Sequence, residues 1–338
     1  MPRSRRRAIG IALFMILPLV LAACSATGGK KAAQAAQGGG TSVAAGHANT
    51  QRYTIAMITH AAPGDTFWDI IRHGALAAAA KDNVTLKYSS DPDPTKQAAL
   101  ITDAINSHVD GIAVTDPNPA ALCPTIQKAR AAGIPVTMFN AGVGNWQQCG
   151  GQQYFGQDEA IAGEAAGKRL AAANAKHVLC VLQETGQVQL EARCNGVQKG
   201  LGSAGTMSKL YVNGRDNAAV LSGITAKLTQ DKTIDAVLTL GAPYAIIATQ
   251  AASSAHSNAK IYTFDTNAEL ISKIKSGAVQ WAVDQQPYLQ GYESVDSLWL
   301  YLTNGNVLGG GVTVLTGPAF IDASNVAAVA KYAAAGNR

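Results

Sequence analysis

Residues 110–140 read DGIAVTDPNPAALCPTIQKARAAGIPVTMFN, and this stretch predicts a strand, a helix and a second strand in succession. The apolar runs Gly111–Thr115 and Ile134–Phe139 have the length of buried strands, and Ala120–Ala132 between them has helical spacing. Strands that are apolar throughout are typical of a parallel sheet with helices on both faces. The stretch therefore predicts an α/β fold.

The same alternation of strand and helix continues on both sides of this unit. Ten strands are many for one compact sheet, and the pattern divides naturally near Gly150–Gly156. We therefore expect two doubly wound, Rossmann-like lobes. The predicted strands are Tyr53–Thr59, Val84–Tyr88, Gly111–Thr115, Ile134–Phe139, Lys176–Leu182, Lys209–Val212, Ile234–Leu240, Lys260–Phe264, Gln280–Val283 and Val312–Leu315.

Charge argues against a nucleic-acid partner. The chain has 338 residues, of which 47% are hydrophobic and 14% charged, and its formal net charge is +5. That charge falls to +1 without residues 1–23, because this segment holds four arginines and no acidic residue. A nearly neutral body lacks the electrostatic footprint of a nucleic-acid-binding protein.

The first 23 residues have the features of an export signal. A cationic start, MPRSRRR, precedes sixteen largely apolar residues that end in small ones. The segment Leu21-Ala22-Ala23-Cys24 resembles the lipobox of bacterial lipoproteins, which implies that Cys24 carries lipid and becomes the first mature residue. The alternatives are an uncleaved anchor, or a cleaved signal with an incidental cysteine. Residues 24–51, rich in Gly, Ala, Gln and Ser, predict a flexible tether.

Four further cysteines, Cys123, Cys149, Cys180 and Cys194, are consistent with an oxidising compartment. Four cysteines allow three pairings, and proximity in sequence favours Cys123 with Cys149 and Cys180 with Cys194. Cys180 lies within an apolar run and would alternatively be a buried free thiol. The chain has no C-x-x-C motif, so the sequence predicts neither a redox motif nor a metal site.

Polar residues follow many of the predicted strands. In open parallel sheets, ligands bind beyond the carboxyl ends of the strands. Carboxylates and amides there suit the hydroxyls of a polyol, and the aromatic rings of Phe67 and Trp68 suit the C–H faces of a sugar. The alternative is that Asp65, Asp116 and Asn140 cap helices or shape turns. Residues at predicted strand ends include Asp116, Asn140, Gln183, Glu184, Asp265, Asp284 and Gln285.

Several segments match one known family in order and spacing. They are Phe67-Trp68-x5-Gly74-Ala75, Asp110-Gly-Ile-Ala-Val-Thr-Asp-Pro117, Gly133-Ile-Pro-Val-Thr-Met-Phe-Asn140, Arg193-x-x-Gly196, Phe264-Asp265 and Asp284-Gln-Gln-Pro-Tyr-Leu-Gln-Gly291. With them, residues 53–320 resemble the type I periplasmic sugar-binding proteins, of the ribose-binding and LacI-related kind. The resemblance implies two lobes joined by a three-segment hinge, with residues 52–155 and 286–311 in one lobe and 156–285 and 312–338 in the other.

The resemblance also implies roles for individual residues. Phe67 and Trp68 would hold a sugar ring between them, and Asp65 would lie near the first polar contact. The hydroxyl-binding positions of the family correspond to Asp116, Asn140, Arg193, Asp265 and Gln285. Where ribose binders have Asp-Arg and Asn, this chain has Asn140-Ala141 and Gly241-Ala242, which indicates a ligand of different shape or larger size.

The sequence thus predicts a binding protein, without cofactor or catalytic activity, held outside the cell membrane by lipid. It would capture a monosaccharide or related polyol for an ABC permease. One alternative is a receptor of the same fold that passes a sugar or furanosyl autoinducer signal to a signalling system. An extracytoplasmic carbohydrate-active enzyme is a third, because Asp65, Asp69 and Asp116 are carboxylates of the type that glycosidases use.

Overall fold

The computed structural model describes residues 47–338. The predicted signal peptide, Cys24 and all but the last five residues of the predicted tether lie outside the described residues. Within the described range, no helix combines the length and the hydropathy that a membrane span requires.

The first sheet has six strands, and we call this sheet together with its helices lobe 1. Its strands are parallel throughout, in the spatial order β11-β5-β4-β3-β1-β2. Buried aliphatic side chains fill both of its faces, as the apolar strands predict. The strands are β1 (Tyr53–Thr59), β2 (Val84–Ser90), β3 (Gly111–Val114), β4 (Val136–Phe139), β5 (Gln153–Gly156) and β11 (Val314–Leu315).

Four helices cover this sheet, and two of them cross at very close range. A Cβ atom added at Gly74 would overlap the carbonyl oxygen of Tyr288, and one at Gly291 would overlap that of Ile71. Glycine at both positions therefore allows the two backbones to touch. The helices are α1 (Thr66–Lys81), α2 (Pro94–Asn106), α3 (Pro119–Ala131) and α9 (Pro287–Asn304).

The second sheet also has six strands, in the spatial order β12-β10-β9-β8-β6-β7, and we call this sheet together with its helices lobe 2. Its pairs are parallel except that β12 runs antiparallel to β10 at the edge. The strands are β6 (His177–Leu182), β7 (Thr206–Tyr211), β8 (Ala236–Thr239), β9 (Lys260–Phe264), β10 (Trp281–Asp284) and β12 (Ala319–Asp322). The helices are α4 (Glu159–Ala172), α5 (Val188–Leu201), α6 (Asn217–Gln230), α7 (Ala242–Ser254), α8 (Ala268–Lys275) and α10 (Val326–Ala334).

The chain passes between the sheets three times, after β5, β10 and β11. The third passage differs from the predicted boundary at residue 312. Val314 and Leu315 pair with Phe155 and Gly156 in the first sheet, so the chain enters lobe 2 only after residue 315. Two hydrogen-bonded pairs at a sheet edge are too short a signal for the sequence pattern to assign to a lobe.

The predicted fold class, two α/β lobes with parallel sheets, is confirmed. The apolar pattern did not predict β5, which contains Gln153 and Gly156, or the antiparallel edge strand β12. The structure contains the two disulfides that the sequence favoured, with Cα–Cα distances of 4.7 Å for Cys123–Cys149 and 6.1 Å for Cys180–Cys194. The first bridge lies in lobe 1 and the second in lobe 2.

Candidate functional site

A cavity lies between the two lobes at the carboxyl ends of the strands. Its empty volume, with the open mouth included, is about 610 Å³. Residues from both lobes and from the second passage between them form its wall. Seven of the eight predicted ligand-binding residues line it, namely Asp65, Phe67, Trp68, Asn140, Arg193, Asp265 and Gln285.

Lobe 1 contributes an aromatic wall built on the first turn of α1. Asp65 caps this helix by accepting a hydrogen bond of 3.1 Å from the backbone N–H of Phe67, so it lines the cavity and also caps the helix. Phe67 and Trp68 lie with their ring centroids 5.3 Å apart and their planes nearly perpendicular. Trp68 also packs edge-to-face on His60 at 4.6 Å. Because the two rings are in contact, no sugar ring fits between them, which differs from the predicted arrangement. The wall that they form together suits the C–H face of a saturated ring.

His60 joins this wall to lobe 2. The backbone N–H of His60 and the Gln97 side chain both donate to Thr115 Oγ1, at 3.2 Å each. The hydroxyl proton of Thr115 is then free to donate to His60 Nδ1, 2.8 Å away, which leaves the ring proton on Nε2. Burial lowers the pKa of His60 to about 3, so the ring is neutral at physiological pH.

The proton on His60 Nε2 faces the Gln189 side chain of the opposite lobe. The Gln189 amide lies 3.4 Å from Nε2, and its oxygen has no other partner among the described residues. An amide orientation that turns this oxygen towards His60 gives the Nε2 proton an acceptor, and it gives up the 3.3 Å hydrogen bond from the Gln189 amide nitrogen to Gln187 Oε1. His60 and Gln189 thus lie within hydrogen-bond distance of each other across the lobes, both uncharged, and we call them the interlobe pair.

Lobe 2 contributes a buried ionic network centred on Arg193. Its guanidinium donates two hydrogen bonds to Glu159, at 2.6 and 3.0 Å, and one to the carbonyl of Leu240. Nη1 also lies 3.7 Å from Asp265 Oδ2. Burial raises the pKa of Asp265 to about 7, against the opposing effects of Arg193 and of a hydrogen bond from Gln285. The cation is therefore held rigidly by two carboxylates.

Close packing of α4 against α5 sets this network in place. A Cβ atom at Gly163 would overlap the backbone carbonyl oxygen of Arg193, and one at Gly196 would lie 2.6 Å from that of Ala160. Because both positions are glycine, the helices approach until Glu159 reaches Arg193. The disulfide from Cys180 to Cys194 also ties β6 to the helix residue next to Arg193.

Amides at the second passage connect the two walls. Gln285 Nε2 donates to Asp265 Oδ1 at 2.7 Å, and Gln285 Oε1 accepts from Asn140 Nδ2 at 3.2 Å. Asn140 and Asp265 follow β4 and β9, and both have left-handed backbones, with φ of 62° and 65°. Asn and Asp tolerate this conformation better than most residues, so each chain can turn sharply at the strand end.

Asp116 is the predicted residue that does not line the cavity. It is fully buried in lobe 1, with Oδ2 lying 3.4 Å from Cys149 Sγ and Oδ1 without a hydrogen-bond partner among the described residues. Burial raises its pKa to about 7. Its side chain is directed to the Cys123–Cys149 bridge rather than to the cavity, which differs from the predicted ligand contact.

Asp116, Cys123 and Cys149 also form the one cluster of metal-ligand residue types in residues 47–338. Both sulfur atoms are committed to the disulfide and offer no thiolate, so the cluster does not have the ligands of a metal site.

The cavity also contains residues that the sequence did not assign to the site. Glu184 follows β6 and is among the polar strand-end residues that the sequence indicated, although no ligand contact was assigned to it. Thr266 follows β9, and Tyr244 lies in the first turn of α7. Burial raises the pKa of Glu184, Asp65 raises it further and Arg215 opposes this. Gln189 lies on a helix with no distinguishing pattern, and only the fold reveals it.

An enclosed polar cavity between two hinged lobes defines a binding protein of the two-lobed, closing type. The comparisons with known proteins agree. Residues 55–306 match the model of the periplasmic binding protein domain family. The chain belongs to this family, and it is therefore a binding protein and not an enzyme.

Relatives with solved structures include a carbohydrate transporter from Acidothermus cellulolyticus 11B in complex with myo-inositol. It is 63% identical, with a TM-score of 0.83, over 85% of this chain and all of that one. A solute-binding protein from Burkholderia graminis C4D1M in complex with D-arabinose is 21% identical, with a TM-score of 0.73, over 81% of this chain and 96% of that one, and shows the fold alone.

A curated relative is the xylose/arabinose-binding protein XylF of Sulfolobus acidocaldarius. It is 25% identical over 258 residues, which are 70% of this chain. The match spans 63% of that relative's length.

Proposed function

We propose that this protein captures a cyclitol or monosaccharide outside the cytoplasmic membrane and delivers it to an ABC importer. The cavity is the observation that carries the proposal: it joins an aromatic wall from one lobe to a charged and amide-rich wall from the other. Support also comes from the 63% identical relative, whose structure holds myo-inositol. The exchange of Asp-Arg and Asn for Asn140-Ala141 and Gly241-Ala242 favours a ligand that differs from ribose in shape or is larger.

The electrostatics of the cavity favour a neutral, hydroxyl-rich ligand. The charge of Arg193 is already matched by Glu159 and Asp265, so no cation remains to attract an anion at this wall. Buried oxygen atoms of Gln183 and Thr266 have no hydrogen-bond partner in the described part of the chain. A ligand hydroxyl both donates and accepts, so it can satisfy such atoms while also binding carboxylates.

The test is a calorimetric titration of the purified protein with myo-inositol, D-ribose, D-arabinose and D-xylose. We expect saturable binding of myo-inositol at one site per chain and its recovery unchanged after incubation. Absence of binding to every one of these polyols would overturn the proposal. Conversion of a bound sugar into a product would favour the enzyme alternative instead.

We also propose that Cys24 carries lipid and holds the mature protein at the membrane. The support is the sequence Leu21-Ala22-Ala23-Cys24, placed before a segment of tether-like composition. Membrane fractions of cells that express the native chain should contain the protein, and Cys24→Ala should move it to soluble fractions. A mature protein that starts at another residue without lipid would contradict this part of the proposal.

A further inference from the structure

A second cavity adjoins the first on the side of lobe 2. The two share Gln183 and Glu184 in their walls, so they meet at these two side chains. The empty volume of the second cavity, open to solvent, is about 940 Å³. Its remaining wall includes Tyr211, Asn213 and Arg215 from lobe 2 and Pro92 from lobe 1.

The Tyr211 ring is a fixed and accessible platform in this second cavity. Tyr211 is 48% exposed, so its ring is accessible to a ligand in this cavity. Its hydroxyl donates to Glu191 at 2.9 Å, and Lys209 holds the same carboxylate at 2.6 Å. The ring is therefore held in position before any ligand arrives, which lowers the entropy cost of stacking on it.

The polar groups around this platform carry both signs of charge. The Arg215 guanidinium has no hydrogen-bond or salt-bridge partner within residues 47–338, and it lies near enough to Glu184 to oppose the rise of that residue's pKa. Because one cation and one carboxylate balance, the second cavity favours a neutral group that donates and accepts hydrogen bonds. An exposed aromatic ring beside amide, guanidinium and carboxylate groups suits a sugar ring.

We propose that the natural ligand has two rings, a polyol in the first cavity and a glycosidically linked sugar in the second, stacked on Tyr211 and bound by Asn213 and Arg215. This inference rests on the proposed function and extends it from a single ring to a glycoside.

The test compares myo-inositol with an O-galactosyl-myo-inositol by calorimetric titration of the native protein and two variants. Tyr211→Ala removes the platform. Tyr332→Ala is the matched control, because Tyr332 is also 48% exposed but lies on α10 and lines neither cavity. We expect Tyr211→Ala to weaken the two-ring ligand by about tenfold and to leave myo-inositol within about twofold. Tyr332→Ala should change neither affinity.

Two results would overturn the inference and leave the proposed function standing. In one, myo-inositol binds and the galactosyl compound does not, which shows that the second cavity accepts no ring. In the other, Tyr211→Ala leaves both affinities unchanged or weakens them equally. If neither compound binds, the inference fails, and the titrations with D-ribose, D-arabinose and D-xylose decide whether the proposed function fails with it. Thermal unfolding of each variant shows whether the fold is retained.

Discussion

Each sheet has a buried aspartate shortly after one of its strands, but the two aspartates have different surroundings. In lobe 1, Asp116 follows β3, and in lobe 2, Asp265 follows β9; both are buried carboxylates with a pKa raised to about 7. Asp265 has Arg193 and Gln285 beside it and lines the cavity. Asp116 faces a disulfide and forms no salt bridge with any residue of the described range 47–338. A carboxylate at a strand end thus serves the ligand only where partners hold it towards the cavity.

The lobes also differ in the kind of wall they offer. Lobe 1 offers rings, an amide and the helix-capping Asp65, with a neutral His60, whereas lobe 2 offers the Arg193 network, in which opposite charges are paired. Each ion of the buried network needs an oppositely charged partner, because burying an unpaired ion lowers the stability of the fold strongly. The aromatic wall acts through its contact area with the ligand. Variants in lobe 2 should therefore have larger effects than those in lobe 1.

The largest effect is expected from Arg193→Met. It leaves Glu159 buried without its bidentate partner, which typically costs about 3–5 kcal/mol. We expect a loss of ligand affinity of about 100-fold or more and a lower unfolding temperature. Calorimetry and thermal unfolding measure both quantities.

The control is Arg169→Met, which breaks a partly exposed ion pair with Asp322 and should cost only about 0–1 kcal/mol. The double variant Glu159→Gln/Arg193→Met should regain stability without regaining affinity. Native affinity in Arg193→Met would remove the arginine from the site.

A second experiment compares Asp265→Asn with Asp116→Asn in the same titration. Asp265→Asn disturbs charged hydrogen bonds at the cavity wall and should weaken binding by about tenfold or more. Asp116→Asn lies behind the wall and should leave affinity within about twofold. Equal losses in the two variants would show that the lobes use their carboxylates alike, as the sequence predicted.

The third prediction concerns the pH dependence of stability in lobe 1. The pKa of Asp116 is raised on folding, so the native state holds a proton that the unfolded state loses above about pH 4. Its contribution to stability is present at low pH and is lost as the pH rises to about 7. Asp116→Asn should therefore raise the free energy of unfolding at pH 8 by about 1–3 kcal/mol and have little effect at pH 4.

Denaturant unfolding at the two pH values measures this difference. Asp103→Asn, at an exposed position on α2, is a suitable control, because it makes the same substitution outside the core. A destabilised Asp116→Asn at pH 8 would indicate that the ionised carboxylate has a partner.

The smallest effect is expected from the interlobe pair. Gln189→Ala removes one neutral hydrogen bond between the lobes, worth about 0.5–1.5 kcal/mol, and should weaken binding by about twofold to tenfold. Gln198→Ala, on an exposed face of the same helix, is the control and should bind normally. Affinity in Gln189→Ala equal to that of the control would mean that the pair does not hold the lobes together.

The sequence predicted the fold well because buried parallel strands are apolar along their whole length. It missed β5 and β12, since a four-residue strand with Gln153 and Gly156, or an antiparallel edge strand, lacks that pattern. It placed the third passage between lobes too early, because two pairs at a sheet edge leave no trace in composition.

For the site, a position shortly after a predicted strand indicated correctly that Asn140, Asp265 and Gln285 line the cavity. It could not reveal which way a side chain turns, and so it treated Asp116 like Asp265. The direction of Asp116 depends on the Cys123–Cys149 bridge, and the role of Gln189 depends on where α5 meets the opposite lobe. Both are products of tertiary packing that no local pattern records.

The hydrogen-bonded chain Asn140–Gln285–Asp265 lies at a passage between the lobes, where a hinge rotation moves atoms least. We expect these groups to keep their arrangement when the cleft opens, while the aromatic wall and Gln189 separate. An entering ligand would then dock first at the hinge side, and closure would follow. Substitutions at the hinge side should mainly slow association, and those at Gln189 should mainly speed dissociation.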